Sequence, residues 1–479
     1  MMQRATKIIA TLGPASEKPE VLRDMIRAGL NVVRLNFSHG TVADHQARYD
    51  LVRQISKELD REVGIMADLQ GPKIRVGKFA NGKVILQEGA RFILDVNCEL
   101  GNEERVGLDY KNLPNDVQAG DRLLLNDGLI VLVVDLVKGG EIYTRVESGG
   151  PLSNNKGINR AGGGLTAPAL TEKDIADLDA AISMGIDFLA ISFPKDGADM
   201  AYARKLADTA SAKHGKGKVR LIAKVERAEA IVTEALQSII DESDGIMVAR
   251  GDLAIEVGNP AVPALQKRMI RMALDANKFT ITATQMMESM ISAPVPTRAE
   301  VSDVANAVLD GTDAVMLSAE SATGQFPVKT IEQMAAICIE AEKSEVVHLD
   351  TDFLDQRFER IDQAIALGAL FTAHHLNATA IAALTDSGST PIWMSRHNIR
   401  VPIFALTSRV ETQRALSTYR NVRPFSIGKG ADREAALLQV EERLKKLGVV
   451  KSGDTIVLTI GEPMDQPGGT NTLKIIKVR

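Results

Sequence analysis

Apolar positions along the chain follow two alternating patterns. Short, near-continuous apolar runs read as strands buried on both faces, and between them apolar residues recur at helical spacing. Thr6-Lys7-Ile8-Ile9-Ala10-Thr11-Leu12 is the first run, ended by Gly13-Pro14. Residues 17–29 follow as an amphipathic helix closing on Gly29, a usual helix-terminating residue. A strand at 31–37, a helix over about 45–59 and a strand at 63–69 continue the rhythm.

From Gly71 to Pro168 the rhythm breaks. Short alternating runs are separated by turns at Asn81-Gly82, Asn126-Asp127-Gly128 and Gly139-Gly140, which predicts an inserted β unit without a helix. The glycine run 162–164 reads as a hinge at its edge. Thr171-Glu172-Lys173-Asp174 opens a helix with Thr171 as N-cap. Strands resume at 187–193, 219–225, 245–250, 279–284 and 313–318, each followed by a helical pattern. Eight such units predict an α/β fold with a closed (β/α)8 barrel. An open doubly wound sheet is the alternative, but polar and charged residues recur at most strand C-termini, where barrels place their active sites. After Glu345 a third unit reads as helix 359–376, strands 379–384 and 401–406, helix 432–447, and strands 454–460 and 472–478. The predicted domains are a barrel of 1–70 and 171–345, an inserted small β-barrel of 71–170, and a C-terminal α/β domain of 346–479.

Composition narrows the function. The 479 residues suggest roughly three domains, in agreement with the pattern. A net charge of −5 gives no basic footprint for nucleic acid. No apolar run approaches the ~20 residues of a membrane span, and the N-terminus lacks a signal-peptide core. Two distant cysteines, Cys98 and Cys338, make neither a disulfide framework nor a zinc site, and point to a reducing cytoplasm.

In a barrel the strand tips converge on one mouth. The second strand brings Arg34, Asn36, Ser38 and His39, and the third Asp68, with Lys73 and Arg75 just beyond. The fifth brings Lys224 and Glu226, the sixth Arg250, Gly251 and Asp252. The seventh brings Thr282, Thr284 and Gln285, the eighth Ser318 and Glu320. Lys224 and Glu226 share a face of their strand, and taken alone they read as a structural ion pair. With Asp252 on the neighbouring strand, Glu226 makes a two-carboxylate set suited to Mg2+. Lys224, Arg34 and Arg75 add the positive charge that phosphoryl transfer needs. No Walker A loop and no Ser/His/Asp arrangement is evident.

These residues carry a close resemblance to the pyruvate kinase family. The motifs are Arg34-Leu35-Asn36-Phe37-Ser38-His39-Gly40, Ile222-Ala223-Lys224-Val225-Glu226, Val248-Ala249-Arg250-Gly251-Asp252-Leu253, and the run from Thr284 through Pro296-Thr297-Arg298 to Ser318. The chain looks most like the bacterial form containing Asp68-Leu69-Gln70-Gly71-Pro72-Lys73-Ile74-Arg75. The resemblance implies transfer of phosphate from phosphoenolpyruvate to ADP, with the inserted domain as a water-excluding lid. It implies Mg2+ (or Mn2+) on Glu226 and Asp252, Lys224 on the phosphoryl group, and the substrate carboxylate against the backbone of Ala249, Arg250, Gly251 and Asp252. Arg250 reads by default as a loop brace. Thr284 would stand next to the enolate carbon. Arg34, Asn36, His39, Arg75 and Lys156 map onto the nucleotide and phosphate side. Asn36, Ser38, Asp68 and Leu69 match the monovalent-cation positions, and Lys73 replaces an acid common in the family, so K+ is expected to be dispensable. A loop of Thr385, Ser387, Gly388, Ser389 and Thr390 is the expected cradle for a small phosphorylated effector, and a homotetramer the expected assembly. Another phosphoenolpyruvate or pyruvate enzyme would not need the lid with Lys156. A catalytically silent homologue would be expected to have lost Lys224, Glu226, Asp252 or Thr284.

Overall fold

The computed structural model describes residues 4–344, 357–428, 433–462 and 469–479. The expected boundary at 345/346 and the first residue of the helix expected at 432–447 lie outside the described residues.

Eight parallel strands close into the predicted barrel. They are β1 (Lys7–Thr11), β2 (Val32–Asn36), β3 (Gly64–Asp68), β4 (Phe188–Ile191), β5 (Arg220–Val225), β6 (Gly245–Ala249), β7 (Phe279–Ala283) and β8 (Ala314–Leu317), ordered β1-β8-β7-β6-β5-β4-β3-β2 around the wall. Most strand residues are buried because helices cover the outside and side chains fill the inside, which explains the near-continuous apolar runs. Thr171, expected as an N-cap, closes a capping box with Asp174, and Thr41 with Asp44 closes another, so its helix starts at Val42 and not at the expected 45. Asp174 also accepts the Gly71 amide at 2.9 Å, which pins the departure of the inserted domain to its point of return. Gly71 stands at φ +70°, and a Cβ there would lie 2.6 Å from that of Ser192, so both backbone and space require glycine.

The inserted domain is a six-stranded sheet with two two-stranded pairs around its own core, which includes Phe92, Leu94, Leu123 and Ile130. It holds one short helix, Leu113–Asp116, where the sequence predicted none. Pro114 sits in its first turn and Leu113 is buried, so packing supports a turn too short for periodicity to reveal.

The C-terminal domain is a five-stranded sheet among the described residues. Its strands β9 (Ala380–Leu384), β10 (Ile403–Thr407), β11 (Val422–Ser426), β12 (Thr455–Gly461) and β13 (Thr470–Lys477) run in the order β11-β10-β9-β12-β13, with β13 antiparallel at the edge. It packs on the barrel floor. Asp313, next to the start of β8, forms a fully buried ion pair with Arg396 and accepts the Arg420 amide at 2.8 Å. Tyr419 enters the barrel's lower core edge-on to Phe279, with ring centroids 5.3 Å apart. Among the described residues no helix is long and apolar enough to cross a membrane.

Candidate active site

The tips of β2, β3, β4 and β5 build one buried charge cluster. Arg34 donates through Nε to Asp68 Oδ2 at 2.6 Å and through Nη1 to Thr11 Oγ1 at 3.0 Å. The Lys224 ammonium lies 2.9 Å from Glu226 Oε1 and 3.3 Å from Asp68 Oδ1, and donates to Ser192 Oγ at 2.8 Å. Ser192 in turn donates to the Leu69 carbonyl at 2.7 Å. The other oxygen of Glu226 accepts the Phe193 amide at 3.0 Å.

Electrostatics fix the charge states. Burial disfavours the Lys224 ammonium, but Asp68 and Glu226 outweigh burial and hold it charged, above the usual lysine range. Burial also acts against the Asp68 carboxylate, and Arg34 with Lys224 overcome it and hold the group below its ordinary value. Glu226 goes the other way. Burial pushes it up to about 7, against Lys224, and the Asp252 charge adds to the rise.

Two carboxylates that repel one another at a barrel mouth fit a hard divalent cation, which would relieve the repulsion. No group of three or more His, Cys, Asp or Glu side chains suited to a metal occurs among the described residues. Glu226 and Asp252 are a pair that could hold such a cation, with substrate oxygens and water completing its shell.

Lys73 was expected to supply a positive charge close to the substrate, and its ammonium lies 3.0 Å from Asp252 Oδ1, a partner the sequence did not indicate. Asp68 already has two cationic partners, whereas Lys73 is the cation paired with Asp252. The Leu69 side chain is in the barrel core, which leaves only its carbonyl at the mouth.

Between β6 and β7, the Gly251 amide donates to Thr284 Oγ1 at 2.8 Å, and that hydroxyl donates to the Ala283 carbonyl at 2.6 Å. Thr284 has φ +70°, a conformation that β-branched residues rarely adopt. A Cβ at Gly251 would meet nothing closer than Thr284 Oγ1 at 3.5 Å, so the protein's own packing does not demand this glycine. Arg250 is bonded to its neighbours at the strand ends. Its guanidinium lies 2.7 Å from Asp303 and donates to the Thr284 carbonyl at 2.8 Å. Glu320 accepts the Ser318 amide at 2.7 Å and the Met287 amide at 3.3 Å. Met286, Met287 and Met290 are core.

Of the residues expected on the nucleotide side, Asn36 accepts the Ser38 amide at 3.2 Å, and His39 is exposed on the same turn. Arg75 and Lys156 belong to the inserted domain. Arg75 donates to the Asn155 carbonyl at 2.9 Å, and Lys156 accepts the Val76 amide through its own carbonyl at 2.9 Å. Among the described residues neither side chain is hydrogen-bonded to the barrel cluster.

Strand-tip reasoning missed Ser192 and Phe193. Both directly follow the fourth strand, and extending the collection of tips to that strand would have found them. It also missed a cavity of about 790 Å3 between the barrel floor and the C-terminal domain. Arg4, Lys7, Arg53, Arg61, Arg423 and Arg443 are among its lining residues. These cations come from separate elements, so no local motif announces them. Burial, then Arg4, lowers Arg61 and Arg423 each to about 10. Among the described residues, buried nitrogens of Arg4, Arg53 and Arg443 have no hydrogen-bond partner.

The expected effector loop is less open than the sequence implied. Thr390 is buried and shares a 2.8 Å hydrogen bond with Thr470, and Thr385 accepts the Gly388 amide at 2.9 Å within its own turn. Asp386 is paired with Arg409, while Ser387 and Ser389 are 3.2 Å apart through their hydroxyls.

A barrel whose mouth joins two carboxylates to a ring of fixed cations, under an inserted β domain, is the build of a phosphotransferase. A family model described as "Pyruvate kinase, barrel domain" matches residues 3–331, and one described as "Pyruvate kinase, alpha/beta domain" matches residues 363–476. The chain belongs to the pyruvate kinase family. It is 50% identical to "Pyruvate kinase II" of Salmonella typhimurium over 99% of both chains. It is also 50% identical to a pyruvate kinase of Haemophilus influenzae over 96% of both chains. A crystal structure of a pyruvate kinase from Cryptosporidium parvum aligns with a TM-score of 0.91 at 33% identity, covering 100% of this chain and 97% of that one.

Proposed function

We propose that the protein transfers the phosphoryl group of phosphoenolpyruvate to ADP, giving pyruvate and ATP. The carrying observation is Lys224, whose ammonium is held charged between Asp68 and Glu226. Bound Mg2+ supplies charge neutralisation to the phosphate oxygens. Lys224 and Arg34 present fixed positive charge to the phosphoryl group as its bond to the enol oxygen breaks and a bond to an ADP oxygen forms. The backbone of Ala249–Asp252 receives the substrate carboxylate, and the open space at Gly251 favours that approach. Thr284 orients the proton delivered to the enolate carbon, which completes pyruvate. His39, Asn36, Arg75 and Lys156 face the nucleotide, and the inserted domain closes over both substrates to exclude water. A coupled assay of ADP-dependent pyruvate formation tests the reading; no pyruvate from the folded protein with Mg2+ would reject it.

The reading includes activity without K+. Lys73 provides a fixed ammonium at the mouth, and a second cation about 4 Å from it would be repelled by roughly 4 kcal/mol at an effective dielectric of ~20. Tetramethylammonium buffers with and without KCl, at matched ionic strength, test this. Activation by K+ of about tenfold or more would overturn it, and Lys73→Glu is expected to create such a response.

Regulation by a phosphorylated metabolite and assembly as a homotetramer in the cytoplasm complete the reading. The cation-lined cavity and the 385–390 loop are the two candidate seats for the metabolite. Exposed Ile361, Phe371 and Leu376, on and next to helix Ile361–His375, favour a further copy of the chain as partner. Unpaired Cys98 and Cys338 suit a reducing compartment.

A further inference from the structure

The chain returns from the inserted domain through Ile158–Arg160 and residues 161–170, and two buried charged residues of the barrel hold that return. Arg227, directly after Glu226, is 4% exposed. It donates to the Leu165 carbonyl at 2.9 Å and to the Ala167 carbonyl at 3.2 Å. Its guanidinium also lies over the Phe193 ring, 5.9 Å from the centroid, and the Phe193 amide is the one bound to Glu226.

Glu256 lies in the last turn of helix Arg250–Val257, whose first turn carries Asp252. Its carboxylate accepts the Ala228 amide at 2.8 Å and is hydrogen-bonded by the Asn159 side chain. Its backbone carbonyl accepts the Gly162 amide at 3.0 Å. One residue thus holds the returning strand, the loop after Glu226 and the helix whose first turn carries Asp252. On the outgoing segment, Lys73 lies on Asp252 itself. Burying a charge is costly unless it is hydrogen-bonded, and both buried side chains here spend their hydrogen bonds across this junction.

From this arrangement, and resting on the proposed reading that Glu226 and Asp252 hold the divalent cation, we infer that Arg227 and Glu256 are positioning residues that couple the seating of the inserted domain to the spacing of the two carboxylates. Neither touches substrate. Each ties the returning strand to the backbone that carries one of the two acids. A shift of the inserted domain therefore changes where Glu226 stands relative to Asp252, and a bound cation in turn favours one seating of the domain.

The test uses the full-length protein with Glu256→Gln, Arg227→Met and Arg227→Lys. Melting temperature reports folding, amide hydrogen exchange over 160–164 and 226–230 reports the junction, Mn2+ titration by electron paramagnetic resonance reports the acid pair without turnover, and steady-state kinetics report catalysis. In the folded Glu256→Gln and Arg227→Met proteins, exchange is expected to quicken, the Mn2+ dissociation constant to rise about tenfold, and kcat to fall about ten- to a hundredfold, the scale of a small misplacement. The KM for ADP is expected to stay within about twofold, and Arg227→Lys to recover part of the loss. Mn2+ affinity and kcat within about twofold of wild type in both folded variants would overturn the coupling and leave the metal assignment standing. Failure of the wild type to bind Mn2+ would overturn the metal assignment and the coupling with it.

Discussion

The Gly251 amide donates to the Thr284 hydroxyl at 2.8 Å, so the segment carrying Asp252 and the end of the neighbouring strand meet at one side-chain oxygen. Holding that oxygen in place requires Thr284 to stand at φ +70° and Gln285 at φ +52°. Such backbone costs about 1–3 kcal/mol for each residue and persists where the surroundings impose it.

Thr284 therefore separates stability from activity. Thr284→Ser keeps the hydroxyl and loses the β-branch; its kcat is expected within a few-fold of wild type, with a melting temperature no lower. Thr284→Gly removes the strain with the hydroxyl, and kcat is expected to fall about 10²-fold or more, the scale of a lost proton-transfer group. Parallel calorimetry and steady-state assays check both. A Thr284→Gly enzyme at full rate would take Thr284 out of the proton path.

Lys224→Met is expected to lower kcat by about 10³-fold or more, with the KM for phosphoenolpyruvate changed only a few-fold. It also removes a cationic partner from the buried Asp68 and Glu226. Stripping one partner from a buried pair costs about 3–5 kcal/mol, so the variant is expected to melt lower than wild type without divalent cation and to regain part of the difference with Mg2+. A variant with intact kcat and a raised KM would make Lys224 a binding residue.

Stability near the junction should depend on pH with a defined sign. Burial pushes the Glu256 carboxyl from 4.5 up to about 7; the Ala228 amide, Arg227 and Asn159 oppose this, and Glu229 adds to it. Between those values the folded chain binds more protons than the unfolded one, so this group's contribution falls as pH rises. Glu256→Gln cannot ionise. Its stability relative to wild type is expected to increase between about pH 5 and pH 8, by at most about 3 kcal/mol at 1.36 kcal/mol per pH unit. Urea denaturation of both proteins at the two pH values measures the difference, in which titrations common to both cancel.

The two candidate effector seats can be told apart by melting with sugar monophosphates. An anion at about a hundred times its dissociation constant adds about 2.7 kcal/mol of stability. Arg443→Glu, in the cation-lined cavity, is expected to abolish the upward shift, and Ser387→Asp/Thr390→Asp to keep it. The reverse pattern would return the effector to the 385–390 loop.

The barrel was legible because burial on both faces writes strands as apolar runs, and because a closed barrel gathers distant strand tips at one mouth. Lys224, Glu226, Asp68 and Arg34 were found that way, and the structure joins them by direct contacts. Less legible was whatever depends on how one unit sits on another. Lys73 was collected just beyond the third strand with Asp68, and its pairing with Asp252 depends on the path of the inserted domain. Arg227 was not singled out, because its partners, the carbonyls of Leu165 and Ala167, carry no residue-type signal. Backbone strain at Thr284 leaves no mark on composition or periodicity.

The buried pair between Asp313 and Arg396 bears on how separable the domains are. Asp313 also accepts the Thr280 amide at 2.9 Å, so one carboxylate serves two barrel strands and the C-terminal domain together. A barrel cut free of that domain would keep the carboxylate in its floor with its cation gone, alongside apolar surface that Tyr419 and Leu416 now cover. The two domains are thus a poor pair of modules: exchanging the C-terminal domain between relatives requires carrying the floor of the barrel with it.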